Sequence, residues 1–148
     1  MSMFELAIMG DPVPKGRPRV FKGHGVTPQR TRDAEKRIRQ AFQAKYPNAT
    51  PFNGQVSVTA RFMLSHQGKP DLDNLFKLVT DALNGLAYAD DSQIIHTVAF
   101  KIHPDRYMPR ADGKGMRKRR TGDPLTLAGR PYKPQTQILI SEIEGARQ

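Results

Sequence analysis

The sequence predicts an α+β fold: a small single domain in which two helices cover a mixed or antiparallel sheet, in the order β-α-β-α-β-loop-β. Two segments alternate apolar and polar residues, which is the period of strands with one buried face. Between them, leucines and other apolar residues recur at the spacing of an amphipathic helix. The 148 residues suit one core, and no internal repeat indicates a second domain.

The chain opens with a predicted strand and a basic loop. Residues 4–9 form an apolar run of strand length, closed by turn residues at 10–14. The segment that follows, up to residue 30, holds too many prolines and glycines for regular structure and several cations. We interpret it as a loop.

A helix is expected next. Thr31 or Asp33 is predicted to cap a helix that runs to about Tyr46, because Pro47 cannot continue it. Its apolar residues share one side. The opposite, polar side is expected to hold Arg32, Glu35, Lys36 and Arg39.

The middle of the chain predicts a strand, a helix and a strand. Residues 55–64 and 94–102 show the alternation of strands, and residues 72–86 carry the leucine stripe, which ends near an Asn-Gly pair. We expect the two strands to lie side by side and antiparallel. His96 falls with the apolar residues of its strand, so we expect it on the inward face as a hydrogen-bonded core histidine.

Residues 104–134 follow neither period and are predicted to be a basic loop insertion, before a closing strand at residues 136–143. The insertion holds nine Lys and Arg against three Asp. Such blocks are often mobile alone and ordered on a polyanion, although a solvated tail is the alternative.

The formal net charge of +10 predicts a polyanionic partner. Nucleic acid is favoured over a membrane surface, because no basic segment carries a wide apolar helical face. The lack of cysteine excludes disulfides and thiolate metal sites. Without a signal peptide or a long apolar run, we expect a cytoplasmic protein with no membrane partner. The predicted DNA contacts are Lys15, Arg17, Arg19, Lys22, Lys69, Lys114, Arg117, Lys118, Arg119 and Arg120.

Acidic residues concentrate in one part of this basic chain, since five aspartates and only two lysines lie within residues 69–94. On a helical wheel, Asp73 and Lys77 share the polar face of the predicted helix. Asp71 occupies its N-cap position. Antiparallel pairing of the neighbouring strands would return Asp91 to the start of this helix, so we expect Asp71, Asp73 and Asp91 to converge.

Three carboxylates held close together repel one another unless a divalent cation lies between them. Oxygen ligands suit Mg²⁺ or Mn²⁺, which can polarise a phosphodiester and activate water. Lys77 would stabilise the developing charge or orient that water. The residues that could support this site are Asn74, Asp81 and Asp90.

Two other functions remain open at this point. The aspartates could merely cap helices and form ion pairs in a non-catalytic basic nucleic-acid-binding module. Alternatively, the D-x-D pair could serve a phosphohydrolase or glycosyltransferase with a small phosphorylated substrate. The last alternative is weaker, because such pairs commonly end an apolar strand, whereas Asp71 precedes a helix.

Three motifs, "PVPKGRPR", "KPDLDNLFKLVTDALNG" and "DDSQI", resemble the RusA family of Holliday junction resolvases, crossover junction endodeoxyribonucleases often carried by phages and prophages. The resemblance implies a Mg²⁺-dependent homodimeric hydrolase that nicks four-way DNA junctions symmetrically in the bacterial host cell. The family's carboxylates match Asp71, Asp73 and Asp91, and its essential lysine matches Lys77. The segment 104–134 departs from the family by its length.

Overall fold

A computed structural model describes residues 2–144, and the backbone alone for Arg19 and Phe21. Two helices and ten strands follow one another in this part of the chain. In order they are β1 (Met3–Met9), β2 (Arg19–Phe21), β3 (His24–Val26), α1 (Gln29–Lys45), β4 (Val56–Met63), α2 (Leu72–Leu83), β5 (Ile94–Ile102), β6 (Tyr107–Pro109), β7 (Met116–Lys118), β8 (Thr126–Leu127), β9 (Arg130–Pro131) and β10 (Gln135–Glu142).

The four long strands form one mixed sheet in the order β1-β10-β4-β5. The outer strand β1 and the inner strand β4 both pair antiparallel with β10. In contrast, β5 pairs parallel with β4, with Val56 opposite Ile94 and Met63 opposite Ile102. The predicted α+β class and mixed sheet are confirmed, but the antiparallel pairing of these two strands is wrong. The reason is that α2 carries the chain back along the sheet, so β5 starts at the same end as β4.

Both helices pack on one face of the sheet and enclose the core. Val58, Ala60 and Phe62 alternate along β4 with at most 1% exposure, and Leu75 and Val79 of α2 are equally buried. Each fully buried aliphatic side chain contributes about 1.5–3 kcal/mol to the free energy of unfolding. The packing therefore fixes α2 firmly over β4 and β5.

The strand β5 turns its histidine away from the helices. His96 pairs with Ser57, which lies on the open face of the sheet, and the two side chains hydrogen-bond at 2.8 Å. Thr97 and Ala99 lie opposite the helix-facing residues of β4. The expectation of an inward core histidine is wrong, because the apolar alternation of β5 marks its open face, where Phe100 is 51% exposed.

Helix boundaries differ from prediction at both helices. The first begins at Gln29, after Pro28, and not at Thr31 or Asp33. Thr31 is buried and its hydroxyl accepts a hydrogen bond from the Gly16 amide at 2.9 Å, so it serves the preceding loop. The second helix ends at Leu83 and not at residue 86.

The insertion at 104–134 is built from two hairpins, β6–β7 and β8–β9, so the expectation of a segment without regular structure is wrong. Asp105 accepts hydrogen bonds from the amides of Gly129 and Ala128 and from the Thr126 hydroxyl, and these bonds hold its pKa below the ordinary value. Asp123 receives two bonds from the Arg117 guanidinium at 2.8 and 3.0 Å. Single carboxylates organise these hairpins, and such contacts leave no periodicity in the sequence.

The segment predicted to be a basic loop also contains a hairpin, formed by β2 and β3. Among residues 2–144, no helix is long and apolar enough to cross a membrane.

Candidate functional site

The start of α2 presents two exposed carboxylates. Asp71 occupies the N-cap position, yet its side chain makes no capping hydrogen bond. Asp73 lies in the first turn, where its Oδ1 accepts a hydrogen bond from the Asn74 amide at 2.9 Å. Both aspartates and Asn74 are exposed. The capping alternative therefore does not account for Asp71, whose carboxylate remains available to a ligand.

Asp91 lies at the other end of α2. It begins a one-turn 3₁₀ helix directly before β5, and β5 starts beside the start of β4. A helix of 12 residues is about 18 Å long. The expected convergence of Asp71, Asp73 and Asp91 is therefore wrong within one chain. Nowhere in residues 2–144 do three Asp, Glu or His side chains form a group that could hold a metal ion.

The neighbouring aspartates Asp90 and Asp91 differ in their surroundings. Asp90 caps the 3₁₀ helix: its carboxylate accepts a hydrogen bond from the Ser92 amide at 3.0 Å, and its own amide donates to Gln93 Oε1 at 2.8 Å. Hydrogen bonds from the Ser92 side chain and then from its amide hold the pKa of Asp90 below the ordinary value. Asp91 is exposed and takes no part in this cap. Of the two carboxylates, Asp91 is the one free to meet a ligand.

Four charged side chains form a cluster between α1 and α2. Lys77 Nζ lies 3.0 Å from Asp81 Oδ1, and Lys15 Nζ lies 3.1 Å from Asp81 Oδ2. Lys15 Nζ is also 3.1 Å from Oε2 of Glu35. Burial lowers the pKa of Lys15, but the hydrogen bonds to Glu35 and Asp81 outweigh this effect and raise it above the ordinary value. Asp81 thus supports Lys77, and Lys15 is held inside the protein.

The predicted DNA contacts fall into two groups. Lys15, Arg117 and Arg119 have partners within the chain: Arg119 donates to the carbonyls of Asp105, Asp123 and Pro124. The side chain of Arg19 lies outside the described residues. The exposed members of the predicted set are Arg17, Lys22, Lys69, Lys114, Lys118 and Arg120.

Two residues of this region were not predicted from the sequence. Lys101 donates from Nζ to the Pro70 carbonyl at 3.0 Å, which places a cation beside the start of α2. Its signal was a lysine near the end of an otherwise uncharged strand. Glu35 was expected on the polar side of α1, but it is 8% exposed and bound to Lys15. Its neighbours in sequence are also charged, so no local pattern distinguished it.

Comparison with known proteins agrees with this arrangement of motifs. A protein of Bacillus subtilis (strain 168), described as "Uncharacterized protein YqaN", is 27% identical over 129 residues, which cover 71% of this chain and 91% of the relative. The family described as "Endodeoxyribonuclease RusA" matches residues 9–112, which is more than half of the 148 residues. The match includes both ends of α2, the segment between β1 and β2, and the start of the hairpin insertion. The chain therefore belongs to the RusA endodeoxyribonuclease family.

Proposed function

We propose that this endonuclease is a homodimer that requires a divalent metal and resolves four-way (Holliday) DNA junctions by paired phosphodiester hydrolysis. The observation that carries the proposal is the pair of exposed carboxylates of Asp71 and Asp73 on a chain of net charge +10. The Asp71 carboxylate makes no capping hydrogen bond to the helix. A non-catalytic basic module would have no use for uncompensated carboxylates beside a phosphate backbone.

The two carboxylates fit Mg²⁺, with Mn²⁺ as an alternative. Mg²⁺ is usually held by one or two protein carboxylates, with substrate phosphate oxygens and water in its other positions. Both side chains offer oxygen ligands, which suit a hard cation. When bound, the ion supplies Lewis-acid polarisation of the phosphodiester and a more acidic water.

Lys77 acts on the reacting phosphate. It lies one helical turn after Asp73 on the same face of α2, and its side chain is 55% exposed. The ammonium group can therefore reach a phosphate oxygen near Asp73 while its ion pair with Asp81 keeps it in position. Its contribution is to stabilise the negative charge that grows in the transition state.

The outer edge of β5 is the proposed dimer contact. The strand lies at the edge of the sheet, and its residues 94–100 include no Asp, Glu, Lys, Arg or Pro. Ile95 is 53% exposed and Phe100 is 51% exposed. Native proteins normally protect such edges with charge or proline, or they cover them. A second copy that pairs β5 with β5 would cover this edge about a two-fold axis.

This pairing also explains the position of Asp91. In an antiparallel β5–β5 pair, the start of one strand lies beside the end of the other. The end of β5 is next to the start of α2, because Lys101 bonds to the Pro70 carbonyl. Asp91 of the partner subunit then approaches Asp71 and Asp73, and each of the two active sites takes residues from both chains.

A four-way junction incubated with the protein is expected to be cut into two nicked duplexes with Mg²⁺ and to stay intact with EDTA. Cutting should occur at symmetrically related positions in two opposing strands, because a two-fold dimer has two equivalent sites. The measurement uses junctions labelled on each strand in turn, with linear duplex of the same sequence as the control. Junction binding without any metal-dependent cleavage would favour the non-catalytic alternative.

Replacing Lys118 and Arg120 together by Gln is expected to weaken binding to junction and duplex alike. Both side chains are exposed on the hairpin insertion, and phosphate contacts carry no sequence information. The slope of log affinity against log salt should fall by about two units, one for each lost phosphate contact. A salt titration of the double variant beside the parent measures this. Lys36→Gln, which removes an exposed lysine on α1, is the matched control. An unchanged slope in the double variant would show that Lys118 and Arg120 do not contact phosphates of the DNA.

A further inference from the structure

The segment between β1 and β2 is a strap fixed to both helices by its backbone. The Lys15 amide donates to the Asn74 carbonyl in α2 at 2.8 Å, and the Gly16 amide donates to Thr31 Oγ1 in α1 at 2.9 Å. A Cβ on Gly16 would lie only 2.8 Å from that hydroxyl oxygen, so the strap needs glycine to approach α1 this closely. The position of Lys15 over the gap between the helices is therefore set by main-chain contacts.

Both ion-pair partners of the Lys15 side chain lie in this gap. Its ammonium contacts Glu35 on one helix and Asp81 on the other, and its exposure is 24%. The Asp81 carboxylate contacts both lysines: its Oδ2 pairs with Lys15 and its Oδ1 with Lys77. Two carboxylates already contact the Lys15 ammonium, and one of them, Glu35, is buried, so a phosphate would have to compete with both ion pairs.

We propose that Lys15 is a positioning residue for catalysis, which acts through Asp81 to hold the ammonium of Lys77, and that it makes no contact with DNA. The inference rests on the proposed nuclease function of Lys77. The strap motif "PVPKGRPR" then serves two purposes: its lysine orders the active site, while exposed cations such as Arg17 remain available to the backbone of the substrate.

Charge balance gives Lys15 a second effect on Lys77. The two ammonium groups and the two carboxylates of the cluster balance each other. Because Lys15 and Glu35 form the other half of the cluster, Asp81 is shared between two ammonium groups and withdraws less from Lys77. Without Lys15, Asp81 and Glu35 together would leave the neighbourhood of Lys77 with a net negative charge, which opposes an incoming phosphate.

The test separates the rate of cleavage from the affinity for the junction. Because Lys15→Met alone leaves Glu35 buried and unpaired, the double variant Lys15→Met/Glu35→Gln is used, with Asp81→Asn as an independent route to the same loss. Single-turnover cleavage at saturating protein is expected to fall about 10–100-fold in both, as for other groups that orient a catalytic residue. Junction affinity and its salt slope should match the parent in the double variant, which keeps the net charge. In Asp81→Asn, which removes a negative charge, affinity should be kept or become tighter. Lys15→Arg, which keeps the charge, should retain more of the rate than the double variant.

Lys36→Met is the matched control: it removes an exposed lysine next to Glu35 and should alter neither quantity. A parental cleavage rate in either folded variant would overturn the inference, and so would a lower affinity with a reduced salt slope, which would make Lys15 a DNA contact. If the double variant fails to fold, as judged by circular dichroism, Asp81→Asn decides. Failure of the parent to cut junctions would instead contradict the proposed function itself.

Discussion

Asp73→Asn is expected to abolish junction cleavage while junction binding is kept or becomes tighter. The substitution preserves size but removes one of two carboxylates proposed to hold the metal ion. Loss of the ion would remove several kcal/mol of transition-state stabilisation and thus lower the rate about a thousandfold. It also removes a negative charge that repels the phosphate backbone. Single-turnover cleavage in Mg²⁺, beside binding measured in Ca²⁺, gives both quantities.

The fold offers a control for this substitution. Asp33 is an exposed aspartate on α1 that accepts a hydrogen bond from Gln29 at 2.7 Å, and Asp33→Asn should cleave junctions at the parental rate. Asp73 also accepts a hydrogen bond from the Asn74 amide, so a role in stabilising the helix must be distinguished from metal binding. A parallel loss of binding and of helical circular dichroism would show that Asp73 stabilises the helix start, and the metal assignment would then be wrong.

Local pattern predicted the elements that carry the site, but not the direction in which they pair. The extents of α2, β4 and β5 were correct to within a few residues. Burial on one face imposes the periods of α2 and β4, whereas the apolar alternation of β5 lies on its open face. The relative direction of the strands depends on what connects them. A helix between two strands of one sheet normally returns the chain for a parallel pair, so the order strand-helix-strand in the sequence already favours the parallel pairing.

The remaining errors arise from single polar contacts. Arg117 with Asp123, and Asp105 with three donors, order the hairpins, although their residues read as a charged block. Lys15 and Glu35 are 20 positions apart and meet only because the strap crosses both helices. An exposed cation can be distinguished from a bound one only after its neighbours in space are known, and for that reason composition did not separate Lys15, Arg117 and Arg119 from the exposed cations.

Mixed dimers of Asp73→Asn and Asp91→Asn chains are expected to nick junctions, although neither variant cleaves alone. If each active site takes Asp73 from one chain and Asp91 from the other, a mixed dimer has one site with both substitutions and one site with none. About half of the dimers are mixed when the two chains are present in equal amounts and associate at random. Co-expression with two different tags allows these dimers to be purified, and strand-specific labels should show single nicks without paired incision.

The same experiment tests the surface that joins the two chains. Adding Ile95→Glu to both chains places like charges on the edge of β5 and should prevent dimer formation and nicking together, whereas Met3→Glu, on the opposite edge of the sheet at β1, should prevent neither. Light scattering reports the oligomeric state of each combination. In an arrangement where Asp73 and Asp91 serve the same site within one chain, every site of the mixed dimer carries one substitution. Purified mixed dimers without nicking activity would therefore contradict the shared site, and a dimer that survives Ile95→Glu would assign the contact to another surface.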